Sequence, residues 1–440
     1  MTGTILLITL FTLVVLLLAG VPIPFAFFSA TLVIVFFGGI GDDPGSLLRY
    51  GYTKATSIIL CAIPLFILAG SLMEKGGIGE SLVNLVSMFV GRIKGGLGAV
   101  MVISCGLFGA ISGSGMATLS CIGSIMLPRM YAAGYPKGIS SALISSASLL
   151  GLLIPPSLNM ILYAFVGGQS VLACFLATVL PGVILIICLS LTNMFLLRKN
   201  KDIKLEDKMP TPVYFKTLGT RSVRAIPALI SPIIILGGIY SGIMTPTEAA
   251  AVSVVYSIPV GWFIYKGLRG KTFKESLLYS GTTAGVIMIM LFSVMILSNL
   301  YVRANVPSII LNGMTSITQN PVVLLIIVNL FLIVIGMIMD DTSAILLTTP
   351  LLLPIVTNPA LGVNPVHFAA IMGVNLGLGC VTPPCAPFLY LGSRVGGAPI
   401  NEMLGPTMWF IAFAWIPTLI LTTYIPDLAL LIPRSLGFVA

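Results

Sequence analysis

The chain has 440 residues, 57% of them hydrophobic and only 8% charged, with a formal net charge of +9. A soluble domain carries about 25% charged residues, and the mean hydropathy here is +1.11, which excludes a soluble fold and indicates an all-α polytopic membrane protein. Net positive charge can signal nucleic acid, but these charges follow membrane topology, so no nucleic-acid partner is expected.

A spanning helix needs about 20 mainly apolar residues. Residues 1–20 lack a basic lead and an A-x-A cleavage pattern, so they read as a retained helix rather than a signal peptide. Spans are predicted at 4–20, 22–40, 56–73, 139–165 and 171–197. Between the third and fourth lies 97–130, whose middle is the polar break Ser112-Gly113-Ser114-Gly115. Each arm is too short to cross alone, so this stretch is predicted to be a re-entrant hairpin. Residues 198–224 read as a polar linker. Further spans follow at 225–243, 247–265, 277–300, 366–393 and 405–432, with a second hairpin at 321–356 broken at Asp340-Asp341-Thr342-Ser343.

The two halves are in register. Ser112 and Asp340, Gly151 and Gly379, and Pro155 and Pro383 are each 228 residues apart, as are Gly134 and Gly362, and Gly168 and Gly396. The chain is therefore predicted to be two repeats, 1–197 and 225–440, joined by the linker, with about ten crossings and two hairpins. Five crossings per half is an odd number, which turns the second repeat upside down. With the linker cytoplasmic, 18 Lys/Arg fall on its side and 4 on the other, in agreement with the positive-inside rule. Both termini are then expected in the periplasm. Such inverted repeats, interrupted in corresponding places, mark a secondary transporter with its site at the repeat interface.

Irregular backbone at membrane depth needs protein or a water-filled cavity around it, so both tips and both Pro-Pro breaks should meet near the midplane. Proline offers no N–H, and each break is expected to leave carbonyls free: Gly151 and Ile154 in the first, Gly379 and Thr382 in the second. Free carbonyls and hydroxyls suit Na⁺. The second arm of each hairpin starts at its tip, and its first N–H groups should attract an anion. Candidate substrate contacts are Ser112, Ser114, Asp340, Asp341 and Thr342 at the tips, with Asn159 beyond the first break. Asp340 and Asp341 are the paired acids at membrane depth; each reads either as a helix N-cap or as a direct ion or substrate contact. Glu248 reads as part of a capping box with Thr245 or Thr247. The seven cysteines lack metal or redox spacing and read as small apolar side chains. His367 is assigned no role.

At AISGSGMATLS (110–120), GLLIPPSLNMILY (151–163), MTPTEAAAVSVVY (244–256), GMIMDDTSAILLTTPLLLP (336–354) and GLGCVTPPC (377–385) the sequence resembles the large membrane subunit of tripartite ATP-independent periplasmic (TRAP) transporters, essentially end to end. The resemblance implies no enzymatic activity but an elevator-type carrier in the bacterial inner membrane, driven by Na⁺ and without other cofactors. It implies two protein partners, a small four-helix membrane subunit and a periplasmic substrate-binding protein, and an organic acid such as sialic acid or a C4-dicarboxylate as cargo. By position it places one Na⁺ at Ser112, Ser114, Gly151, Ile154 and Pro156, and another at Gly336, Gly379, Thr382 and Cys385. Gly115 stands where many members have Ser or Ala, and Cys385-Ala386 replaces a frequent apolar-Gly pair. The nearest rival is proton coupling through Asp340/Asp341. An intramembrane aspartyl protease would need acids from separate helices, and tips plugging the midplane from both faces do not suit a channel.

Overall fold

The computed structural model describes residues 2–38, 43–91, 93, 95–200, 202–204 and 210–439. Four of the counted cations, Arg92, Lys94, Lys201 and Lys208, lie outside the described residues, as do the last two residues of the span predicted at 22–40. Among the described residues every regular element is helical. The first half gives α1 (Thr2–Leu18), α2 (Ile23–Gly38), α3 (Pro44–Ala55), α4 (Ala62–Lys75), α5 (Ile78–Val90), α6 (Gly96–Ser112), α7 (Gly115–Ala132), α8 (Lys137–Ala147), α9 (Leu150–Leu153), α10 (Leu158–Gly167) and α11 (Val171–Leu197). The second half gives α12 (Thr211–Tyr240), α13 (Pro246–Pro259), α14 (Gly270–Arg303), α15 (Val306–Ile317), α16 (Pro321–Ile338), α17 (Asp341–Val356), α18 (Pro365–Val381), α19 (Pro387–Gly396), α20 (Ile400–Phe410), α21 (Ile416–Tyr424) and α22 (Pro426–Ser435). Among the described residues seven helical stretches are long and apolar enough to cross a membrane, and α8–α10 is a further one bent by 45° at the first Pro-Pro break.

Local chemistry sets the boundaries. Thr245 and Glu248 form the capping box that opens α13, Thr245 N–H donating to Glu248 Oε2 at 2.7 Å and Glu248 N–H donating to Thr245 Oγ1 at 3.3 Å. Gly113 turns the first hairpin at φ +62, in the left-handed region that glycine enters without a Cβ penalty. Gly134 and Gly362, paired in the sequence, both have positive φ.

The structure corrects the linker. Residues from Thr211 onward belong to α12, which runs unbroken into the span predicted at 225–243. Pro212 falls in the first turn, where proline is tolerated, and the charges of the stretch anchor it: Arg221 donates to the Asn84 carbonyl at 3.1 Å and to Ser87 Oγ at 3.2 Å, near the negative C-terminal end of α5. The 366–393 span is interrupted between α18 and α19, and the last one stops at Tyr424 before a separate α22. Three helices have no counterpart among the predicted elements. α3, α5 and α15 have 12, 13 and 12 residues, too short to register as spans.

The helices group into two bodies, which meet directly where α4 packs on α6 and α14 on α17. α1–α4 and α12–α14 pack on one another, as do the hairpins α6–α7 and α16–α17 with α8–α11 and α18–α22. α5 touches α6, α7 and α12, while α15 touches α14 and α17, so each short helix links one body to the other. Two large buried apolar clusters run through the whole; the first hairpin belongs to one and the second hairpin to the other.

Candidate functional site

A cavity of about 410 Å³ lies where the bodies meet. Gly113–Met116 of the first tip, Asp340–Ser343 of the second, Asn159 of α10 and Phe388 of α19 line one wall, and Tyr279, Thr282, Thr283 and Met290 of α14 line the other. The tips reach across the halves. Asn159 Nδ2 donates to Asp341 Oδ2 at 2.7 Å, joining the second tip to the first broken helix. A Cβ on Gly115 would stand 2.7 Å from the Phe388 ring, so the first tip lies against the second broken helix with no room for a larger residue unless that ring shifts.

Five of the six expected substrate residues, Ser114, Asn159, Asp340, Asp341 and Thr342, line this one cavity. Ser112 does not. It is 2% exposed and lines an adjoining space of about 40 Å³. Its Oγ lies 3.3 Å from both Ser114 O and Thr118 Oγ1.

The acids divide their work. Asp340 is the N-cap of α17: its Oδ2 accepts from Thr342 N–H at 3.1 Å and Ser343 N–H at 3.2 Å, and Ser343 Oγ donates to Oδ1. Asp341 is 7% exposed and turns to Asn159 instead. The expectation that both tips offer free helix N–H groups is therefore corrected at the second tip, where Asp340 takes two of them. At the first tip Ser114 is the N-cap and accepts from Ala117 N–H at 3.4 Å. That leaves Gly115 and Met116, whose N–H groups have no acceptor within the helix, beside the cavity.

The breaks also differ. Pro155 has no N–H for the Gly151 carbonyl, and Ile154 N–H goes to Leu150 O at 2.8 Å. In the second break Thr382 N–H donates to Gly379 O at 3.0 Å, so the Gly379 carbonyl is not left bare as expected. Thr382 Oγ1 donates to Leu378 O at 2.7 Å. Pro156 lies beside Gly113, and Leu158 N–H donates to Gly113 O at 3.3 Å, locking the first tip to its break.

The glycines among the expected Na⁺ ligands have a visible packing role. A Cβ on Gly151 would meet Ser114 O at 2.9 Å and Thr118 Oγ1 at 2.8 Å, and a Cβ on Gly379 would meet Gly336 Cα at 2.6 Å. Backbone runs against backbone in both halves, and at Gly151 the neighbours are oxygens. Cys385 is exposed and lies outside the cavity lining.

The sequence analysis missed the α14 wall. Its signal was present: Tyr279, Ser280, Thr282 and Thr283 form a polar turn at the head of an apolar run.

A family profile described as "Tripartite ATP-independent periplasmic transporter, DctM component" matches residues 10–428. The C4-dicarboxylate TRAP transporter large permease protein DctM of Pseudomonas aeruginosa is 34% identical over 409 residues, 93% of each chain. The sialic acid TRAP transporter large permease protein SiaM of Vibrio cholerae is 32% identical over 420 residues, covering 95% of this chain and 96% of that one. The isethionate TRAP transporter permease protein DctMQ of Oleidesulfovibrio alaskensis is 34% identical over 411 residues, 93% of this chain and 63% of its own. Among solved structures the fold is similar to the YdaH transporter of Alcanivorax borkumensis, with TM-score 0.58, 14% identity, and 86% and 89% of the two chains covered.

Proposed function

The chain belongs to the TRAP transporter family as its large permease component, and from that premise we propose that it imports an organic acid by Na⁺ symport through an elevator movement of the hairpin body. The observation that carries the reading is the 410 Å³ cavity, walled by both tips on one side and α14 on the other, with no Lys or Arg among the described residues of its lining. A cavity of this size holds a small organic molecule. An anion there depends on the uncharged N-terminus of α7 and on bound cations to offset its desolvation. The three relatives are named for C4-dicarboxylate, sialic acid and isethionate, and the cargo of this chain is taken to be of that anionic class.

Ser112, Ser114, Gly151, Ile154 and Pro156 would hold one Na⁺, and Gly336, Gly379, Thr382 and Cys385 the other. Oxygen crowding around Gly151 supports the first of these more strongly. Each Na⁺ moving inward gains about 2.3 kcal/mol per 100 mV, so two ions outweigh the charge of a monoanion. Corresponding helices recur through the halves, for example α8–α9 against α18 and α10 against α19, which supports two repeats. The 18 to 4 charge distribution supports their inverted arrangement in the bacterial inner membrane with both termini periplasmic. The family is tripartite, so the chain works with a small membrane subunit and a periplasmic binding protein.

A second reading, proton coupling, is favoured by one observation: Asp341 is buried against a neutral Asn159 rather than a cation. Uptake into proteoliposomes with both partners separates the two. A Na⁺ gradient at equal pH should drive accumulation, and a pH gradient without Na⁺ should not; the reverse pattern assigns the coupling to Asp341.

A further inference from the structure

Two small cavities between α4 and α7 continue from the 410 Å³ cavity. The 410 Å³ cavity shares Ser114 and Tyr279 with the 40 Å³ space, which is also lined by Ser71, Glu74 and Ser112. That space shares Ser71, Glu74 and Tyr279 with a third, of about 160 Å³, which extends to Ser120 and Lys75 at the end of α4. Beyond the 410 Å³ cavity the row passes one acidic side chain, Glu74.

Glu74 is poorly placed for a plain structural acid. It sits in the last turn of α4, where unpaired carbonyls make the negative end of the helix and favour a cation. The adjacent Lys75 is paired elsewhere, its Nζ lying 2.8 Å from Glu275 Oε2. Among the described residues Glu74 has neither an ion-pair nor a hydrogen-bond partner. One turn earlier on the same face, Ser71 is 3% exposed and its Oγ also has no partner. A partly buried carboxylate with no protein partner and a buried, unsatisfied hydroxyl line the same two cavities, and a cation bound between them would satisfy both.

We infer that the Glu74 carboxylate and the Ser71 hydroxyl form a Na⁺-binding station between the first hairpin tip and the Lys75 end of α4. One carboxylate balances one Na⁺, and hydroxyl and carboxylate oxygens are the hard ligands this ion takes. The station stands on α4, which packs chiefly on α13 and α14 and meets the first hairpin at α6 and α7. It therefore stays with α13 and α14 when the hairpins move and takes the ion that the Ser112–Gly151 region releases. The inference rests on the Na⁺-coupled reading.

Equilibrium binding of ²²Na⁺ to the purified permease with its small membrane partner, at pH 8, tests it. Glu74→Gln should bind one Na⁺ fewer per complex than the wild type. Ser71→Ala should keep the count but raise the half-saturating Na⁺ of one component roughly five-fold, the effect of one lost oxygen ligand. An unchanged count and half-saturation in monodisperse Glu74→Gln overturns the station while leaving Na⁺ coupling intact. A wild type that binds no Na⁺ overturns both. If Glu74→Gln does not purify as a monodisperse complex, Ser71→Ala decides alone, and an unchanged titration there overturns the station.

Discussion

The two hairpin tips face one cavity and offer it opposite chemistry. The first is Ser112-Gly113-Ser114-Gly115: uncharged, capped by a serine hydroxyl, with Gly115 and Met116 leaving N–H groups at the cavity. The second is Asp340-Asp341: two of its N–H groups are taken by Asp340, and the Asp341 carboxylate is buried against Asn159 of the other half. The first helix end is capped by the uncharged Ser114, whereas the second is capped by Asp340 with the Asp341 carboxylate beside it. The breaks behind the tips diverge too. The first is buried and leaves the Gly151 carbonyl without a donor from Pro155, whereas the second reaches an exposed Cys385 and gives the Gly379 carbonyl a donor in Thr382. A shared architecture thus carries two different sites.

The largest expected effect breaks the backbone approach common to both halves. Gly151→Leu and Gly379→Leu should each abolish uptake while the protein still inserts, because added atoms would meet Ser114 O or Gly336 Cα at under 3.0 Å. Wild-type uptake by either variant would show that its break forms no site.

Next come the two acids. Asp341→Asn should lower uptake at fixed Na⁺ at least ten-fold, since it removes the buried charge of the second tip. Asp340→Ala should act mainly on stability, by about 1 kcal/mol for a lost N-cap. Uptake assays paired with thermal unfolding check this, and a larger uptake loss for Asp340→Ala would reverse the assigned roles.

The smallest effect concerns the second break. Ala386 caps α19 at φ +34, where a side chain is disfavoured. Ala386→Gly should raise stability by about 1 kcal/mol, visible as a higher midpoint of thermal unfolding, with uptake little changed. A lower midpoint would mean that the Ala386 methyl group contributes more packing than the backbone costs.

How much of this was legible follows from residue spacing. Hairpins, Pro-Pro breaks and glycine turns are punctuated by Gly, Pro, Ser and Asp, so their existence could be read directly. Their register could not. The caps Ser114 and Asp340 are 226 residues apart, α9 and α18 end 228 apart, and the caps Ser157 and Ala386 are 229 apart. The second break is one residue longer than the first, and the C-cap glycine matching Gly168 is Gly397 rather than Gly396. A fixed offset averages over such insertions. Asn159 pairing with Asp341, across 182 residues, leaves no local trace. Nor does the choice of Asp340 as cap, since adjacent acids have equal cap propensity and only the turn of the chain separates them.

The most direct measurement is the Na⁺ dependence of uptake at fixed substrate, pH and membrane potential, in proteoliposomes holding both membrane subunits and supplied with the binding protein. Two ion sites predict a curve steeper than hyperbolic for the wild type. Ser112→Ala should shift half-maximal uptake to higher Na⁺, and Thr382→Ala should shift it less, because the Thr382 hydroxyl already donates to Leu378 O. A strictly hyperbolic curve that neither substitution moves would contradict the account.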